Sequence, residues 1–574
     1  MLNCEKQLEI EEGDQALHRR LRELREIVVS LKKSKMTPLK ICESILENRF
    51  IDLKIRTFFK NLPAEEKHYW IASLYALLMP EQKRMKLAAY FTPPHLVQYV
   101  VSTLIELGID IGQHRILDPA SGGAAFLVPL ARHIKDNSSK SSKNIISSIE
   151  STLAGVEIEP NLASLSELLL KDLLRTEISN TGHELKTLIK RANTLKLEKP
   201  DKLYDVVVGN PPYGRVLRPT PQILKDFSPI ISDGYVNLYA LFVEQAIKWV
   251  RPKGFICLII PTSFIGGPYF SALRERILET CRVINLDLID KRSDVFLDVV
   301  QDVCVLVLQK KQAKGNMEFK VPTCSLITMG KPRKLLGNLG LPTAVSNRVW
   351  VLPDEEGGTE LFQEGLETLE DYGYIIKSGY FVWNREKERY RIGRKPGPKE
   401  VPLFWAHNVK ANCICSPLES TSKLNSFGFV KFNEKSSAII KSDAIILQRT
   451  SNRRQDRRLI ASIIRKNKVP GKKGFVSENH TILIVPDPKK TQLVSLKILC
   501  RLINTSQVDG RFRRISGSVS VSTKALRGLP LPVAKEVVLA FKADKDDNNA
   551  AKIAYAKSIV KTLKKPKGKK RGGK

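Results

Sequence analysis

The chain has 574 residues, with 94 Lys and Arg against 60 Asp and Glu, so its formal net charge is +34. Because 42% of the residues are apolar, the composition excludes a mainly disordered, collagen-like or disulfide-framework protein. The length suggests about two to four domains. No apolar run in the sequence reaches the roughly 18–20 residues that span a bilayer. The N-terminal stretch is acidic and has no apolar secretory core. We therefore expect a cytoplasmic protein without a membrane partner.

The cysteines and histidines predict reduced thiols and no metal site. Nine cysteines are scattered along the chain, and their one close pair, Cys413 and Cys415, fits no four-ligand zinc spacing. The eight histidines form no cluster with ligand spacing. We expect neither a structural nor a catalytic metal.

The first 84 residues are predicted to form a helical N-terminal extension. After Gly13-Asp14, which is typical of a helix start, apolar residues recur with alternating spacings of four and three. They are Leu17, Leu21, Leu24, Val28 and Leu31. Two heptads are too few for a coiled coil, so we interpret this segment as a packing helix.

Residues 85–312 are predicted to form a doubly wound, mostly parallel, Rossmann-like α/β sheet. Short apolar runs rich in β-branched residues alternate with longer helical segments, which is typical of strands covered on both faces. The predicted strands lie within 115–120, 153–159, 204–210, 254–261, 283–289 and 302–309. The polar run 136–144 is interpreted as a loop.

The rest of the chain is divided into three parts. Residues 313–346, where periodicity fades and Gly and Pro are frequent, are interpreted as a linker. Residues 347–540 are predicted to form a mixed α+β domain with short strands. Residues 541–574 are interpreted as a basic tail, disordered at its end beyond a short helix.

Two motifs in the α/β region predict a binding site at the carboxyl ends of the strands. Asp118 closes the first strand, and Gly122 and Gly123 follow in a turn that lets a ligand approach the backbone. Glu157 ends the next strand, where an acid commonly accepts hydrogen bonds from ribose hydroxyls. Each motif alone is also compatible with a tight turn or a surface acid.

A third motif, Asn210-Pro211-Pro212-Tyr213, predicts recognition of an exocyclic amine. The two prolines fix the backbone and remove two donors. The side-chain oxygen of Asn210 and the carbonyl oxygen of Pro211 can both accept from an NH2 group, and Tyr213 can stack on a base. The alternative is a rigid turn after a buried strand.

These motifs resemble those of the TaqI-type adenine-N6 DNA methyltransferases of restriction–modification systems. The resemblance covers about residues 85–312, beginning with Tyr90-Phe-Thr92-Pro93, and continues more loosely through 347–540 as a target recognition domain. It implies S-adenosylmethionine as cofactor and catalysis by Asn210, Pro211, Pro212 and Tyr213. The flipped base would stack on Tyr213 and Phe296. The implied cofactor-binding residues are Tyr90, Thr92, Pro93, Asp118, Ala120, Gly122, Glu157, Ile158, Asn193 and Asn210. The chain departs from the family pattern where Asn193 replaces an Asp and Ala124 replaces a third glycine.

The basic cluster of the second region predicts a polyanion partner. Ten Lys and Arg but one Asp lie in residues 448–475, and phosphate neutralisation by such a cluster favours nucleic acid. With the resemblance, the expected partner is double-stranded DNA. The candidate contacts are Arg449, Arg453, Arg454, Arg457 and Arg458, although each is also compatible with a solvated charge.

Several alternatives stay open from the sequence. The same fold and motif can serve base amines of RNA, protein glutamine or the N4 of cytosine. Alternatively, the chain is a DNA-binding restriction subunit without its own activity. Asp52 with Glu65-Glu66-Lys67 has the spacing of a metal nuclease, but it lies in a segment that reads as helical. The sequence leaves open whether a cognate restriction endonuclease accompanies the protein.

Overall fold

The computed structural model describes residues 17, 19–49, 52–87, 92–138, 141–231, 235–290, 302–312, 321–328, 331–342, 349–353, 366–417, 427–433, 436–450, 456–516 and 521–563. They belong to two compact units. The first lies within Met1–Phe264 and Tyr269–Arg348, and the second within Ile265–Pro268, Val349–Asp354 and Gly358–Lys574. In the part of the chain that is described, no helix is both long and apolar enough to cross a bilayer.

A nine-stranded sheet forms the centre of the first unit. Its strands are β1 (Ile116–Asp118), β2 (Leu153–Glu157), β3 (Ile189–Arg191), β4 (Tyr204–Gly209), β5 (Val250–Pro261), β6 (Cys281–Ile289), β7 (Val303–Lys310), β8 (Thr323–Ile327) and β9 (Lys334–Asn338). The spatial order is β3-β2-β1-β4-β5-β7-β6-β8-β9. Strands β1 to β5 pair in parallel, whereas β7 is antiparallel to both β5 and β6. The mostly parallel sheet predicted from the sequence is therefore confirmed.

Fourteen α-helices occur in the described residues before β6. They are α1 (19–31), α2 (Pro38–Leu46), α3 (Leu53–Lys60), α4 (Ala64–Leu78), α5 (Glu81–Leu87), α6 (Pro94–Glu106), α7 (Leu127–Asp136), α8 (Ser142–Thr152), α9 (Pro160–Leu173), α10 (Arg175–Thr181), α11 (Pro221–Asp226), α12 (Leu238–Trp249), α13 (Ser263–Gly266) and α14 (Ser271–Thr280). Part of the run predicted as a loop, 136–144, starts α8. Its apolar residues Ile145, Ile146 and Ile149 are buried at helical spacing, a signal that the neighbouring Ser and Lys obscure in the sequence.

The N-terminal helices share one apolar core with the sheet region. Buried Ile41 and Trp70 belong to the same hydrophobic cluster as Leu127 and Leu169. Polar contacts also join the two parts: His68 Nε2 lies 2.8 Å from an Asp172 carboxylate oxygen. The extension assigned as a separate segment, 1–84, is therefore part of the first compact unit in its described residues.

The segment interpreted as a linker, 313–346, instead supplies two strands to the sheet. Strand β8 pairs in parallel with β6, and β9 pairs antiparallel with β8. These strands are short and interrupted by a bulge, and β9 is mostly exposed. Their backbone hydrogen bonds depend on β6, which is distant in sequence, so no local periodicity marks them.

The second unit contains two four-stranded sheets and a group of helices. Its strands are β10 (Tyr374–Ser378), β11 (Tyr390–Gly393), β12 (Glu400–Phe404), β13 (Phe427–Lys431), β14 (Ala444–Gln448), β15 (Ala461–Ile464), β16 (Val476–Ser477) and β17 (Thr481–Pro486). Its helices are α15 (Trp383–Glu386), α16 (Leu496–Ile503), α17 (Ser506–Ile515), α18 (Thr523–Arg527), α19 (Ala534–Ala543) and α20 (Asp547–Leu563). The sheet orders are β10-β17-β14-β15 and β11-β13-β12-β16.

Much of the segment interpreted as a basic tail is the packed helix α20. Ala550, Ala551, Ala554 and Tyr555 are buried in the same cluster as Phe541 of α19. The apolar face of α20 consists mainly of alanines, which carry little hydropathy signal. The expected disorder concerns residues 564–574, which lie outside the described part of the chain.

Candidate active site

The predicted site residues of the first unit meet at the carboxyl ends of β1, β2 and β4. Asp118 is the last residue of β1, Glu157 the last of β2, and Asn210 follows directly after β4. The strand order reverses between β1 and β4. Strands β2 and β3 follow one another on one side of β1, whereas β4 and β5 lie on its other side. Open α/β sheets bind ligands at this switch point.

Asp118 is a buried carboxylate beside the first strand's turn. One of its oxygens accepts a hydrogen bond of 3.0 Å from the backbone N–H of Ala120. Burial raises the pKa of the Asp118 carboxyl to about 7. A Cβ atom on Gly209 would lie 2.8 Å from that carboxylate, so glycine is needed there for the two strand ends to approach. The group is thus poised to change charge near neutral pH.

Glu157 organises the turn that follows β1. Its two carboxylate oxygens accept from the backbone N–H groups of Gly122, at 2.9 Å, and Glu159, at 2.8 Å. Burial, as the largest influence, raises the pKa of the Glu157 carboxyl. The backbone N–H of Ile158 is a third donor to this carboxylate. Since a carboxylate offers about four acceptor sites, Glu157 can still accept from a ligand hydroxyl.

The turn itself retains a glycine-like backbone. Gly122 has φ 53° and Ala124 has φ 57°, both in the left-handed region. Ala124 therefore occupies a conformation that costs a residue with a Cβ about 1–2 kcal/mol. Ala124 thus adopts the left-handed backbone conformation that a glycine adopts without strain.

Asn210 is held by two side chains. Its amide Nδ2 donates a 3.2 Å hydrogen bond to the hydroxyl of Thr92, which is buried just before α6. Its Oδ1 accepts from the Tyr213 hydroxyl at 2.5 Å. These contacts fix the carboxamide with Nδ2 toward Thr92, and Oδ1 retains one lone pair for a further donor.

The remaining residues of the motif surround this amide. Pro211 is buried, whereas Pro212 and Tyr213 are half-buried. The Tyr213 ring meets Tyr239 edge-on, with centroids 6.4 Å apart. Tyr239 is buried in α12, so its contact helps to hold the Tyr213 ring in one orientation.

The structure gives Asn193 a local role. Its Oδ1 accepts from the backbone N–H of Leu195 at 3.0 Å and caps the short 3-10 helix Thr194–Lys196. Glu157 pairs with Arg191 across the β2–β3 ladder, so Asn193 lies two residues beyond this edge. Its Oδ1 keeps a second lone pair, so it can still accept from an amine, and its cofactor-binding role stays a prediction.

Sequence reasoning missed Thr194. Its buried hydroxyl donates to the carbonyl oxygen of Pro119 at 2.5 Å and so ties the β3 end to the Asp118 turn. A single Thr after a strand carries no recognisable signal, so the sequence could not have identified it.

Four predicted site residues lie outside the described residues. They are Tyr90, Phe296, Arg453 and Arg454. Pro93 lies directly before α6 and is buried, and Ile158 is 56% exposed beside Glu157. The cofactor-binding roles of Tyr90, Pro93 and Ile158, the base-stacking role of Phe296 and the DNA contacts of the two arginines remain predictions.

The three candidate DNA-contacting arginines of the basic cluster that the structure describes make contacts inside the second unit. Arg458 is fully buried, with its guanidinium 5.6 Å from the Phe512 ring centroid, so its predicted contact with DNA is wrong. Arg449 donates to the carbonyl oxygen of Asn479 at 3.1 Å, and Arg457 donates to that of Asn504. A charge run in the sequence does not reveal which side chains turn inward, which explains the error.

The acids with nuclease-like spacing have structural partners. Asp52 caps α3 by accepting from the backbone N–H groups of Lys54 and Ile55. Glu66 accepts from Arg20 at 2.6 Å and from the Trp70 indole at 3.0 Å. Within the described ranges, no group of three His, Cys, Asp or Glu side chains is placed to hold a metal ion.

Comparison with known proteins identifies related sequences. Residues 122–296 match the family model described as Eco57I restriction-modification methylase. Type II methyltransferase M.PstI of Providencia stuartii is 21% identical over 74% of this chain and 84% of the relative. Type II methyltransferase M.BsuBI of Bacillus subtilis is 22% identical over 79% of this chain and 88% of the relative.

Two solved structures illustrate the comparison with known structures. One is the ATP-dependent Type ISP restriction-modification enzyme LlaBIII bound to DNA, with a TM-score of 0.49, 13% identity, and coverage of 91% of this chain and 46% of that chain. The other is a putative class I S-adenosylmethionine-dependent methyltransferase from Listeria monocytogenes. Its TM-score is 0.38 at 17% identity, covering 55% of this chain and 94% of that chain.

Proposed function

The chain carries an Eco57I-type restriction–modification methylase domain, and from this premise we propose that it methylates the N6 amine of adenine in duplex DNA with S-adenosylmethionine. The methylation would be site-specific, and the protein would act as the modification component of a restriction–modification system. The proposal goes beyond the family match in naming adenine, duplex DNA and the cofactor.

The observation that carries the proposal is the fixed carboxamide of Asn210 at the switch point of the sheet. Asn210 follows β4, and Asp118 ends the neighbouring strand β1. Thr92 and Tyr213 hold the amide from two sides. An acceptor oxygen that is already oriented before the substrate arrives is the requirement for selecting an amine.

The residues at the strand ends fit the cofactor. Asp118 and Glu157 are buried carboxylates, and the Gly122 backbone between them has no Cβ to block a ligand. We assign recognition of the ligand's hydroxyl groups to Glu157. We assign recognition of its positively charged part to Asp118, because a nearby cation favours the ionised form of a carboxyl group. When bound, S-adenosylmethionine supplies an activated methyl sulfonium.

The chain's own residues make the amine reactive. The lone pair of an adenine amine is delocalised into the ring, which makes the nitrogen a poor nucleophile. The Asn210 Oδ1 and the Pro211 carbonyl oxygen would accept its two N–H groups and favour a localised lone pair as the bond forms. A preorganised hydrogen bond of this kind lowers a barrier by about 3–4 kcal/mol.

The target base has to leave the duplex to reach this site. Base pairing hides the adenine amine, so the nucleotide is flipped outward before methylation. Tyr213 is half-buried and braced by Tyr239, so one ring face can stack on the flipped base. No covalent enzyme nucleophile is needed, since methyl transfer is a direct displacement and the amine proton leaves afterwards.

A product analysis tests the proposal. The protein is incubated with labelled S-adenosylmethionine and with mixed-sequence duplex DNA, RNA or protein extract, and each product is digested to nucleosides or amino acids. We expect N6-methyladenine in DNA. The Asn210→Ala variant should lose this label, whereas Asn180→Ala, at an exposed position of the same unit, should retain it.

Other products would assign another substrate. Label in N4-methylcytosine, in RNA or in glutamine would refute the adenine-DNA proposal and keep the fold. Equal labelling of DNA by wild type and Asn210→Ala would refute the role given to the carboxamide. Mapping the modified positions of the wild-type product would yield the recognition sequence.

A further inference from the structure

One surface of the second unit concentrates exposed positive charge. Residues 377–399, which we name the β11 face, contain eight Lys and Arg against two Glu, a net charge of +6. All eight basic residues are exposed. They are Lys377, Arg385, Lys387, Arg389, Arg391, Arg394, Lys395 and Lys399. This arrangement contrasts with the 449–458 cluster, whose described arginines are engaged by the unit itself.

Part of the β11 face is rigidly held. Strand β11 lies at the edge of its sheet, beside β13. Arg391 makes a two-pronged ion pair with Glu400, at 3.0 and 2.5 Å, and also donates to the carbonyl oxygen of Lys395. The same carboxylate accepts from the backbone N–H of Gly397 at 2.6 Å. The turn at 394–399 therefore has a defined shape before any partner binds.

This turn presents cations that no described carboxylate neutralises. Among the residues that the structure describes, Arg394, Lys395 and Lys399 have no carboxylate within ion-pair distance. Two of the acids nearby are engaged by arginines: Glu386 pairs with Arg389, and Glu400 pairs with Arg391. The third, Glu388, is exposed. A solvated charged surface usually interleaves both signs, whereas here the acids organise arginines and leave a net positive turn.

Exposed aromatic rings lie on the same face. Tyr380 is 55% and Trp383 44% exposed. Trp383 is fixed by edge contacts with Tyr390 and by Trp405, whose ring centroid is 5.7 Å away. Rings that are held in place while partly exposed, among unpaired cations, are typical of nucleic-acid interfaces, where side chains contact phosphate and sugar.

We propose that the β11 face binds the phosphate backbone of duplex DNA, with the turn 394–399 as its main electrostatic contact. The inference rests on the proposed function for its choice of DNA. Charge complementarity supports it, because each cation that neutralises a phosphate releases a condensed counterion. The proposal moves the DNA-binding role within this unit from the 449–458 cluster to residues 377–399.

The test compares two triple variants that remove the same charge. Arg394→Gln/Lys395→Gln/Lys399→Gln alters the turn, and Lys535→Gln/Lys542→Gln/Lys545→Gln alters exposed lysines in and just after α19 of the same unit. Binding of a labelled mixed-sequence duplex to the full chain is measured by fluorescence anisotropy at several salt concentrations. A thermal melt of each variant, and its cofactor affinity, serve as checks of folding.

The expected results distinguish the effect of where the charges lie from the effect of the total net charge. The turn variant should bind about tenfold to a hundredfold more weakly at 0.1 M salt, and its slope of log affinity against log salt should be shallower by about two to three. The control variant should stay within about twofold of wild type with an unchanged slope. Methylation by the turn variant should show a raised KM and an unchanged kcat.

Three outcomes would overturn the inference. A turn variant with wild-type affinity and slope would exclude the turn as a phosphate contact, even if wild type methylates DNA. Equal losses in both variants would mean that total charge, rather than this face, governs binding. Absence of duplex binding by wild type would overturn the proposed function and this inference together.

Discussion

Replacement of Asp118 by Asn is expected to strengthen the folded chain and to weaken cofactor binding. The carboxyl lies in a buried position where its pKa is raised from 3.8 to about 7. A carboxyl that is harder to ionise in the folded state than in the unfolded state destabilises the fold once it is charged. This effect is absent at low pH, where both states hold the proton, and grows as pH rises from about 4 to 7.

The magnitude follows from the difference between the two pKa values. About three pH units correspond to ~4 kcal/mol when the group is fully ionised above pH 7. Because part of that destabilisation is already present at pH 5, the expected loss of stability between pH 5 and pH 8 is about 2–3 kcal/mol. The carboxamide that replaces the carboxyl in the Asp118→Asn variant cannot ionise but can still accept from the Ala120 N–H, so the variant's stability should vary less with pH.

Cofactor affinity should rise with pH, whereas the stability of the wild-type chain falls. Only the ionised carboxylate attracts a cationic ligand, so wild-type affinity should fall as pH drops below about 7. The Asp118→Asn variant should bind S-adenosylmethionine more weakly at pH 8 and show a flatter pH profile. Calorimetric titration of the cofactor from pH 5.5 to 8.5 measures this, and urea unfolding over the same range without cofactor measures stability.

The reasoning would be refuted by either of two results. One is a variant that is less stable than wild type at pH 8, since this would mean that the carboxylate is stabilising when charged. The other is wild-type cofactor affinity that stays constant across pH 7. Glu184→Gln, an exposed acid of the same unit, is the matched control and should change neither profile.

Three further predictions concern the amide of Asn210 and the basic cluster. Thr92→Val should lower kcat by about tenfold to a hundredfold, because Nδ2 of the half-buried Asn210 loses its acceptor at a cost of ~1–3 kcal/mol. Thr92→Ser should restore kcat, and a failure of that rescue in single-turnover assays would argue against the hydrogen bond. Tyr213→Phe removes the hydroxyl that donates to Oδ1 but keeps the ring, so kcat should fall while DNA affinity holds. Loss of DNA affinity in titrations of that variant would contradict the assignment of kcat to the hydroxyl and of DNA affinity to the ring. Arg458→Met should lower the melting temperature because the guanidinium is buried against Phe512, yet leave the salt slope of DNA binding unchanged. A shallower slope would show that Arg458 reaches phosphate.

Six strands of the α/β region could be predicted from the sequence because they are nearly continuous apolar runs, whereas the short and mostly exposed β3 was not among them. Strand β4 and the end of β5 are buried almost throughout, and such segments stand out from amphipathic helices in any sequence. The motif positions were also predictable, since Asp118 ends such a strand and Asn210 immediately follows another. The comparisons confirm the resemblance to restriction–modification methylases.

Other features could not be predicted because their signals are not local. Strands β8 and β9 exist through pairing that starts at β6 and gives no alternating pattern of its own. The α20 helix buries alanines, which are common in both tails and cores. Asn193 lies two residues after β3, and its use as a cap depends on the turn that follows.

By itself, the sequence determined the fold class of the first unit and the chemistry offered at its strand ends. Apolar strands separated by helices have few stable arrangements, and Gly and Pro impose their backbone geometry wherever they stand. Only the tertiary structure decided how charged and polar groups are used. Burial raises the pKa of Asp118, and Thr92, distant in sequence, orients Asn210. Arg458 is enclosed, whereas the arginines and lysines of the β11 face remain exposed. The physical reason is that desolvation and hydrogen bonding depend on neighbours supplied by remote segments, which a residue's identity and local spacing do not specify.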